Sequence, residues 1–266
     1  MGPEVFRESL SERRRSILWW SVGIVSFVAL QIVFYPSIRD ASGLNDYTKD
    51  LSEAMRALFV GGETDITSGI GYLNSQIFAF AGPLLLMIFA IGIGGALVAG
   101  DEESGALELT LSHPLSRSMF VRQQFGFLTL AVAAVSAVLY VSILALSQLV
   151  DLEIDTLNLL AATISIALLG LLFGTLALAI GAIVPGKARA MAIAGAIGVA
   201  AWVLDGLGQA VSALEPWRPL SPFYQALGSS PLRDGAPWGG WAVLVGVTAL
   251  LAATAIAGLN RRDVGQ

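Results

Sequence analysis

The chain of 266 residues contains no cysteine and a single histidine, His113. The absence of cysteine excludes disulfide bonds, thiol chemistry and cysteine-ligated metal sites, and it leaves the redox compartment undetermined. His113 has no accompanying set of metal-ligand residues and no intramembrane serine motif, so we interpret it as a loop residue. The residues therefore favour neither a metalloenzyme nor an intramembrane hydrolase.

Charge is also scarce. Charged residues make up 13% of the chain, and the net charge is −5. Because a phosphate-binding face needs clustered Lys and Arg, this balance argues against a nucleic-acid partner. Hydrophobic residues make up 55% of the chain and the mean hydropathy is +0.73, which is too apolar for a soluble domain. The composition predicts a polytopic membrane protein whose main surroundings are the lipid bilayer.

Six apolar segments are long enough to span a membrane, which takes about 20 helical residues for ~30 Å of hydrocarbon. They cover residues 16–35, 76–99, 125–149, 157–184, 190–210 and 238–259. No linker or repeat of domain size separates them, so we expect one all-α domain over residues 1–266. Residues 1–15 mix apolar and charged side chains, which predicts a short interfacial helix before the first span.

Two residue types predict how the spans pack. Pro83 removes a backbone hydrogen bond from the second span and is expected to bend it. Small residues in the second and fourth spans predict close helix contacts. These are Gly92, Gly94, Gly95, Gly170, Gly174, Ala177 and Gly181.

The loop of residues 38–73 is polar and acidic. Leu51, Met55, Leu58 and Phe59 recur in it at helical spacing and predict one amphipathic helix. Such a helix either packs on the membrane surface or meets a substrate, and the sequence leaves both roles open.

Asp205 and Gln209 lie one turn apart in the last third of the fifth span. An ionisable group inside a span is a candidate functional residue, because a charge at the bilayer centre costs about 3 kcal/mol. The depth of Asp205 leaves two interpretations open, a pathway residue and a hydrated interfacial carboxylate. Three prolines in residues 215–224 exclude a regular span after it.

Residues 181–187, GAIVPGK, have the spacing of a phosphate-binding loop as far as Lys187. Ala188 stands where such a loop offers Ser or Thr to magnesium, and the segment follows an apolar helix instead of a strand. We therefore predict a short turn between spans. Any ATP is expected to be handled by another polypeptide.

Basic residues are unevenly distributed between the two sides that six spans define. On the side of the termini lie Arg7, Arg13, Arg14, Arg15, Arg117, Arg122, Lys187, Arg189, Arg261 and Arg262; on the other lie Arg39, Lys49, Arg56, Arg218 and Arg233. The positive-inside rule places both termini in the cytoplasm. We expect a multi-pass protein of the plasma membrane.

Residues 100–117, GDEESGALELTLSHPLSR, form the longest polar interruption on the cytoplasmic side. The acidic residues 101–103 suit the start of a helix, whose free N–H groups attract negative charge. Pro114 would end that helix. Leu107 and Leu111 fall four residues apart and would form its apolar strip, so the pattern predicts a short amphipathic helix.

This segment resembles the pattern E-x-E-x-G-T-L-E-L-L-L-S-x-P-x-S-R, which permease subunits of ABC-2-type exporters carry after their second span. The matching positions are Glu103, Gly105, Leu107, Glu108, Leu109, Leu111, Ser112, Pro114, Ser116 and Arg117. Asp101, Ala106 and Thr110 depart from it, and His113 occupies a variable position that often has Thr or Tyr. Residues 220–223 are also similar to the outer re-entrant hairpin that these permeases place between their last two spans.

The resemblance implies that the segment is a cytoplasmic coupling helix, which touches a separate ATP-hydrolysing subunit and transmits its movement. The implied coupling residues are Glu102, Glu103, Gly105, Leu107, Glu108, Leu111, Pro114 and Arg117. It also implies an exporter in which two permease copies, or a copy and a paralogue, enclose the path. Two ATPase copies would carry ATP and magnesium, and this chain would bind no cofactor and catalyse no reaction.

The alternative is a secondary transporter that works without an ATPase. Such a protein needs ionisable residues near the membrane midplane or broken helices in two repeated halves. The sequence offers Pro83, Asp205 and no evident repeat. Neither hypothesis, the ATP-driven exporter or the secondary transporter, identifies the transported substrate.

Overall fold

The computed structural model describes residues 4–41, 50–52, 54–56, 60, 65–107, 116–150, 152 and 154–262. Among these residues the regular elements are all helices. Six of them are long and apolar enough to cross a membrane: α1 (Glu4–Arg39), α2 (Gly69–Glu103), α3 (Arg117–Ser147), α4 (Thr156–Ile183), α5 (Lys187–Ala210) and α8 (Trp238–Arg261). A 3₁₀ helix (Glu215–Leu220), α6 (Pro222–Leu227) and α7 (Pro231–Asp234) lie between α5 and α8. The predicted six-span, all-α membrane fold is confirmed.

The first helix is longer than predicted. It runs without a break from Glu4 to Arg39, so residues 4–15 form its first turns and not a separate interfacial helix. The reason lies in the sequence, because no glycine or proline interrupts residues 4–22 and Glu, Arg and Leu are good helix formers. The helix also continues through Pro36 for one more turn.

The second span is the least regular helix. Its sections are Gly69–Leu73 (α), Asn74–Phe78 (π), Ala81–Gly95 (α), Ala96–Gly100 (π) and Asp101–Glu103 (α). We expected a bend at Pro83, but the helix breaks three residues earlier, at Phe80. The backbone of Phe80 leaves the helical region, with φ −137°. Pro83 then lies in the first turn of the new section, where a backbone N–H has no helical partner to lose.

The fourth helix lies at the centre of the bundle. It packs against α2, α3, α5 and α8, while α1 packs mainly on α3. A Cβ atom on Gly94 of α2 would lie 2.0 Å from the carbonyl oxygen of Gly174 in α4, so the two backbones touch. Cβ atoms at Gly95, Gly170 and Gly181 would also meet neighbouring helices within 3.3 Å. The predicted close contacts are confirmed, except at Gly92, which has open space beside it.

The bundle has two distinct ends. We call the end that holds Arg13, Glu103, Lys187 and Arg262 the terminal end, since the described ends of the chain lie there. The opposite end, which we call the hairpin end, carries the 3₁₀ helix, α6 and α7. These short elements confirm that residues 215–224 form no regular span. Leu58 and Phe59 of the predicted amphipathic loop helix lie outside the described residues.

Candidate functional site

Three consecutive carboxylates, Asp101, Glu102 and Glu103, form the last turn of α2. The prediction that they start a new helix is wrong, because they continue the helical backbone of the second span. The carboxyl end of a helix carries partial negative charge, which disfavours acidic side chains there. Nearby cations or N–H donors offset this cost, and each of the three carboxylates has one.

Asp101 joins α2 to α1 and α3. Its Oδ1 accepts a hydrogen bond from Arg13 Nη2 at 2.7 Å, and its Oδ2 accepts from Gln124 Nε2 at 2.9 Å. The Oε1 of Gln124 accepts in turn from Ser9 Oγ at 2.8 Å. Both charged side chains are largely shielded, with 15% of Arg13 and 18% of Asp101 exposed. The three helices are therefore fastened together by one polar network.

Glu102 and Glu103 reach two further helices. Glu102 forms an ion pair with Arg262, directly after α8. Glu103 accepts a hydrogen bond from the backbone N–H of Lys187 at 2.8 Å, at the amino end of α5, where the helix dipole favours an anion. We call Asp101, Glu102 and Glu103 with these partners the acidic clasp. It ties the end of α2 to α1, α3, α5 and the end of α8.

The chain turns sharply after the clasp. The N–H of Gly105 donates to the carbonyl of Glu102 at 3.0 Å, and Gly105 has φ +77°, a conformation that ends many helices. Leu107 follows with 1% of its surface exposed, within the main hydrophobic core. The side chain of Leu107 therefore packs on this chain, and its coupling role stays a prediction.

The remaining predicted coupling residues divide into two groups. Arg117 begins α3, and its Nη1 donates to the carbonyl oxygens of Leu259, at 2.9 Å, and of Arg262. Glu108, Leu111, Pro114 and the neighbouring His113 lie outside the described residues. Glu102, Glu103, Gly105 and Arg117 thus come together at the terminal end of the bundle.

Sequence reasoning missed the basic partners of the clasp. In the sequence, Arg13 and Arg262 indicated only the topology, as basic residues at the edges of the first and last spans. Their position at the membrane edge was the signal that could have identified them as partners. An arginine at the same membrane edge as a run of acidic residues can reach those residues once the helices pack. The backbone N–H of Lys187 and the side chain of Gln124 left no comparable signal in the sequence.

Asp205 and Gln209 line a cavity of about 140 Å³ at the hairpin end. Asp205 Oδ1 accepts from Arg218 Nε at 3.2 Å and lies 3.1 Å from Arg218 Nη2. The Arg218 guanidinium also lies over the Tyr224 ring, 5.0 Å from its centroid, in a cation–π contact. The carboxylate suspected from the sequence is therefore paired with a cation from the proline-rich segment, a partner that sequence reasoning did not identify.

The chain as a whole has a recognisable sequence relationship. The family described as ABC-2 family transporter protein matches residues 4–264, which is nearly the full length. No curated protein matches the chain. The match agrees with the six membrane-crossing helices and with the pattern in residues 100–117. The chain is therefore a multi-pass membrane protein that belongs to the ABC-2 transporter family.

Proposed function

We propose that this chain is the transmembrane subunit of an ATP-driven exporter and that a separate ATPase binds at the terminal end, on residues 100–117. Membership of the ABC-2 family supports a role as a transport component. The acidic clasp carries the coupling part of the proposal. Its three carboxylates begin the proposed docking segment and join it to four other helices of the bundle, α1, α3, α5 and α8.

The clasp gives a mechanical route for coupling. A push on residues 104–117 acts directly on α2 and α3, which this segment connects. Through Asp101 and Arg13 it also acts on α1, and through Glu103 it acts on the start of α5. Hydrogen bonds weaken steeply away from their preferred geometry, so a movement either carries the bonded helices along or breaks the contact. Either response changes how the helices of the bundle are arranged.

Two features of this chain support the proposed partners: it lacks a complete nucleotide-binding motif, and three of its spans bury only a small share of their residues. It has no complete nucleotide-binding motif, so ATP and magnesium belong to the ATPase, of which we propose two copies. In their most apolar stretches α1, α5 and α8 bury 17%, 22% and 22% of their residues, against 61% in α2 and 67% in α4. Their outer faces are available to lipid and to a second permease copy or paralogue.

The side of the membrane follows from charge. Basic residues are concentrated at the terminal end, which supports cytoplasmic termini in the plasma membrane. This orientation puts the acidic clasp and residues 104–117 on the side where ATP is present. The secondary-transporter alternative gains no support, because Asp205 lies in the final turns of α5, away from its middle, and is paired with Arg218.

Co-purification with the ATPase tests the docking site. Leu111→Asp places a charge in the predicted docking segment, and we expect it to remove the ATPase from the purified complex. Leu149→Asp is the matched control, because Leu149 is 76% exposed and follows α3 at the hairpin end. If both variants retain the ATPase equally, residues 100–117 are not the docking site.

A further inference from the structure

The cavity that Asp205 lines has an apolar neighbour. A second cavity of about 230 Å³ lies between α2, α5 and α6. Its lining residues are all apolar: Phe80, Leu84, Met87, Val199, Trp202 and Phe223. Trp202 and Phe223 also line the first cavity, so the polar and apolar compartments share a wall. Together they have the layout of a site for a molecule with one polar and one apolar part.

The polar compartment carries one charge of each sign. Asp205 is the one carboxylate and Arg218 the one cation among its described lining residues. Both contacts from Arg218 go to the same oxygen of Asp205, Oδ1. The side chain of Gln209 makes no hydrogen bond within the part of the chain that the structure describes, and Gln209 lines the same cavity. The compartment therefore has groups that can engage a charged or hydrogen-bonding ligand.

The charge balance selects the kind of ligand. A ligand with a net charge would leave one charge uncompensated in a site largely shielded from water, which is costly. A ligand with one cationic and one anionic group can place its cation by Asp205 and its anion by Arg218, so that both charges stay paired. The ring of Trp202 on the shared wall further favours a ligand ammonium group.

We propose that the two cavities form one binding site for a zwitterionic phospholipid, with the headgroup by Asp205 and Arg218 and the hydrocarbon chain against Leu84, Met87 and Val199. The hairpin end lies near one membrane surface, where such lipids present their headgroups. That this lipid is the transported substrate rests on the proposed function; the binding itself does not.

The helix that forms the clasp also forms this site. Asn74 and Phe78, in the first π-helical section of α2, line the polar compartment, and Phe80 at the break lines the apolar one. π-Helical sections are frequent at functional sites. The regular section Ala81–Gly95 connects this region to the clasp at the other end. A shift of α2 would therefore change the distance between its wall of the site and Trp202 of α5.

Lipid binding to the purified full-length chain tests the site. Native mass spectrometry compares three lipids of one chain length: lysophosphatidylethanolamine, which is zwitterionic, lysophosphatidylglycerol, which is anionic, and uncharged monoacylglycerol. We expect the zwitterionic lipid to bind at least about tenfold more tightly than the other two, because it alone can form charge-assisted hydrogen bonds with both Asp205 and Arg218 and leave neither charge uncompensated. Equal affinities for the three lipids would overturn the proposal.

Variants locate the binding. The double variant Asp205→Asn, Arg218→Gln leaves no unpaired charge in the site, so it is expected to fold, and we expect it to lose the preference for the zwitterion. Arg233→Gln is the control, because Arg233 is an exposed arginine at the same end and lines neither cavity. A preference that survives in the double variant would refute this site.

Two further arms separate the possible ligands and the two proposals. Glycerophosphoethanolamine, the headgroup without a chain, should bind much more weakly than the lysolipid. Equal binding of the two would overturn the proposed lipid ligand and indicate a site for a small zwitterion instead. The assay contains no ATPase, so its failure leaves the docking test with Leu111→Asp unaffected. A complex that keeps its ATPase in that test likewise leaves the lipid result unaffected.

Discussion

Replacing Arg262 by glutamine removes the cation that neutralises Glu102 in the acidic clasp. Exposed ion pairs contribute about 0–1 kcal/mol, whereas breaking a buried pair costs about 3–5 kcal/mol. The side chain of Arg262 is 18% exposed and that of Glu102 is 22% exposed, so this pair lies between these two cases. The second carboxylate oxygen of Glu102 is buried and has no hydrogen-bond partner within the described residues. We therefore expect Arg262→Gln to lower the free energy of unfolding by about 2 kcal/mol.

Reversible unfolding of the purified chain in mixed micelles measures this loss. Arg261→Gln is the matched control, because Arg261 is the adjacent arginine, is exposed and forms no ion pair within the described residues. We expect the control to change stability by less than about 0.5 kcal/mol. The double variant Glu102→Gln, Arg262→Gln should lose less than the two single variants together, with a coupling energy of about 1–2 kcal/mol. Additive losses, or equal losses in Arg262→Gln and Arg261→Gln, would refute the clasp.

Two further predictions use the same unfolding assay. Gly94→Ala should destabilise the chain by about 3 kcal/mol, because its Cβ would lie 2.0 Å from the Gly174 oxygen and the helices must separate. The control Gly92→Ala should be neutral or stabilising, because a Cβ at Gly92 meets nothing within 4 Å. Equal effects of the two variants would contradict the packing of α2 on α4. Gly105→Ala should cost about 1 kcal/mol because alanine disfavours a positive φ, and Gly105→Asn should cost less; equal losses would show that φ is not the reason for glycine there.

Hydropathy predicted the helices because a span must be apolar over its whole length. The last three spans begin within three residues of α4, α5 and α8. The start of α3 was placed eight residues late, at Phe125 instead of Arg117, because Arg122, Gln123 and Gln124 lower the local hydropathy. The same effect separated residues 4–15 from the helix to which they belong.

Contacts between distant residues were beyond the sequence. The spacing of Leu107 and Leu111 showed that one face of the segment is apolar, but it could not show whether that face packs on this chain or on a partner; Leu107 packs on this chain. The pair of Asp101 and Arg13 joins residues 88 apart in sequence, which only the packing of helices decides.

The proposed coupling requires the acidic clasp to face the cytoplasm, where ATP is present. The absence of native cysteine makes the side of the membrane on which the clasp lies directly measurable. Ser104 is exposed beside the clasp, and Ser229 is exposed at the hairpin end. A membrane-impermeant maleimide should label Ser229→Cys but not Ser104→Cys in intact cells. In inside-out vesicles it should label Ser104→Cys, and bound ATPase should slow that reaction. Labelling of Ser104→Cys from outside intact cells would place the clasp away from ATP and contradict the coupling proposed here.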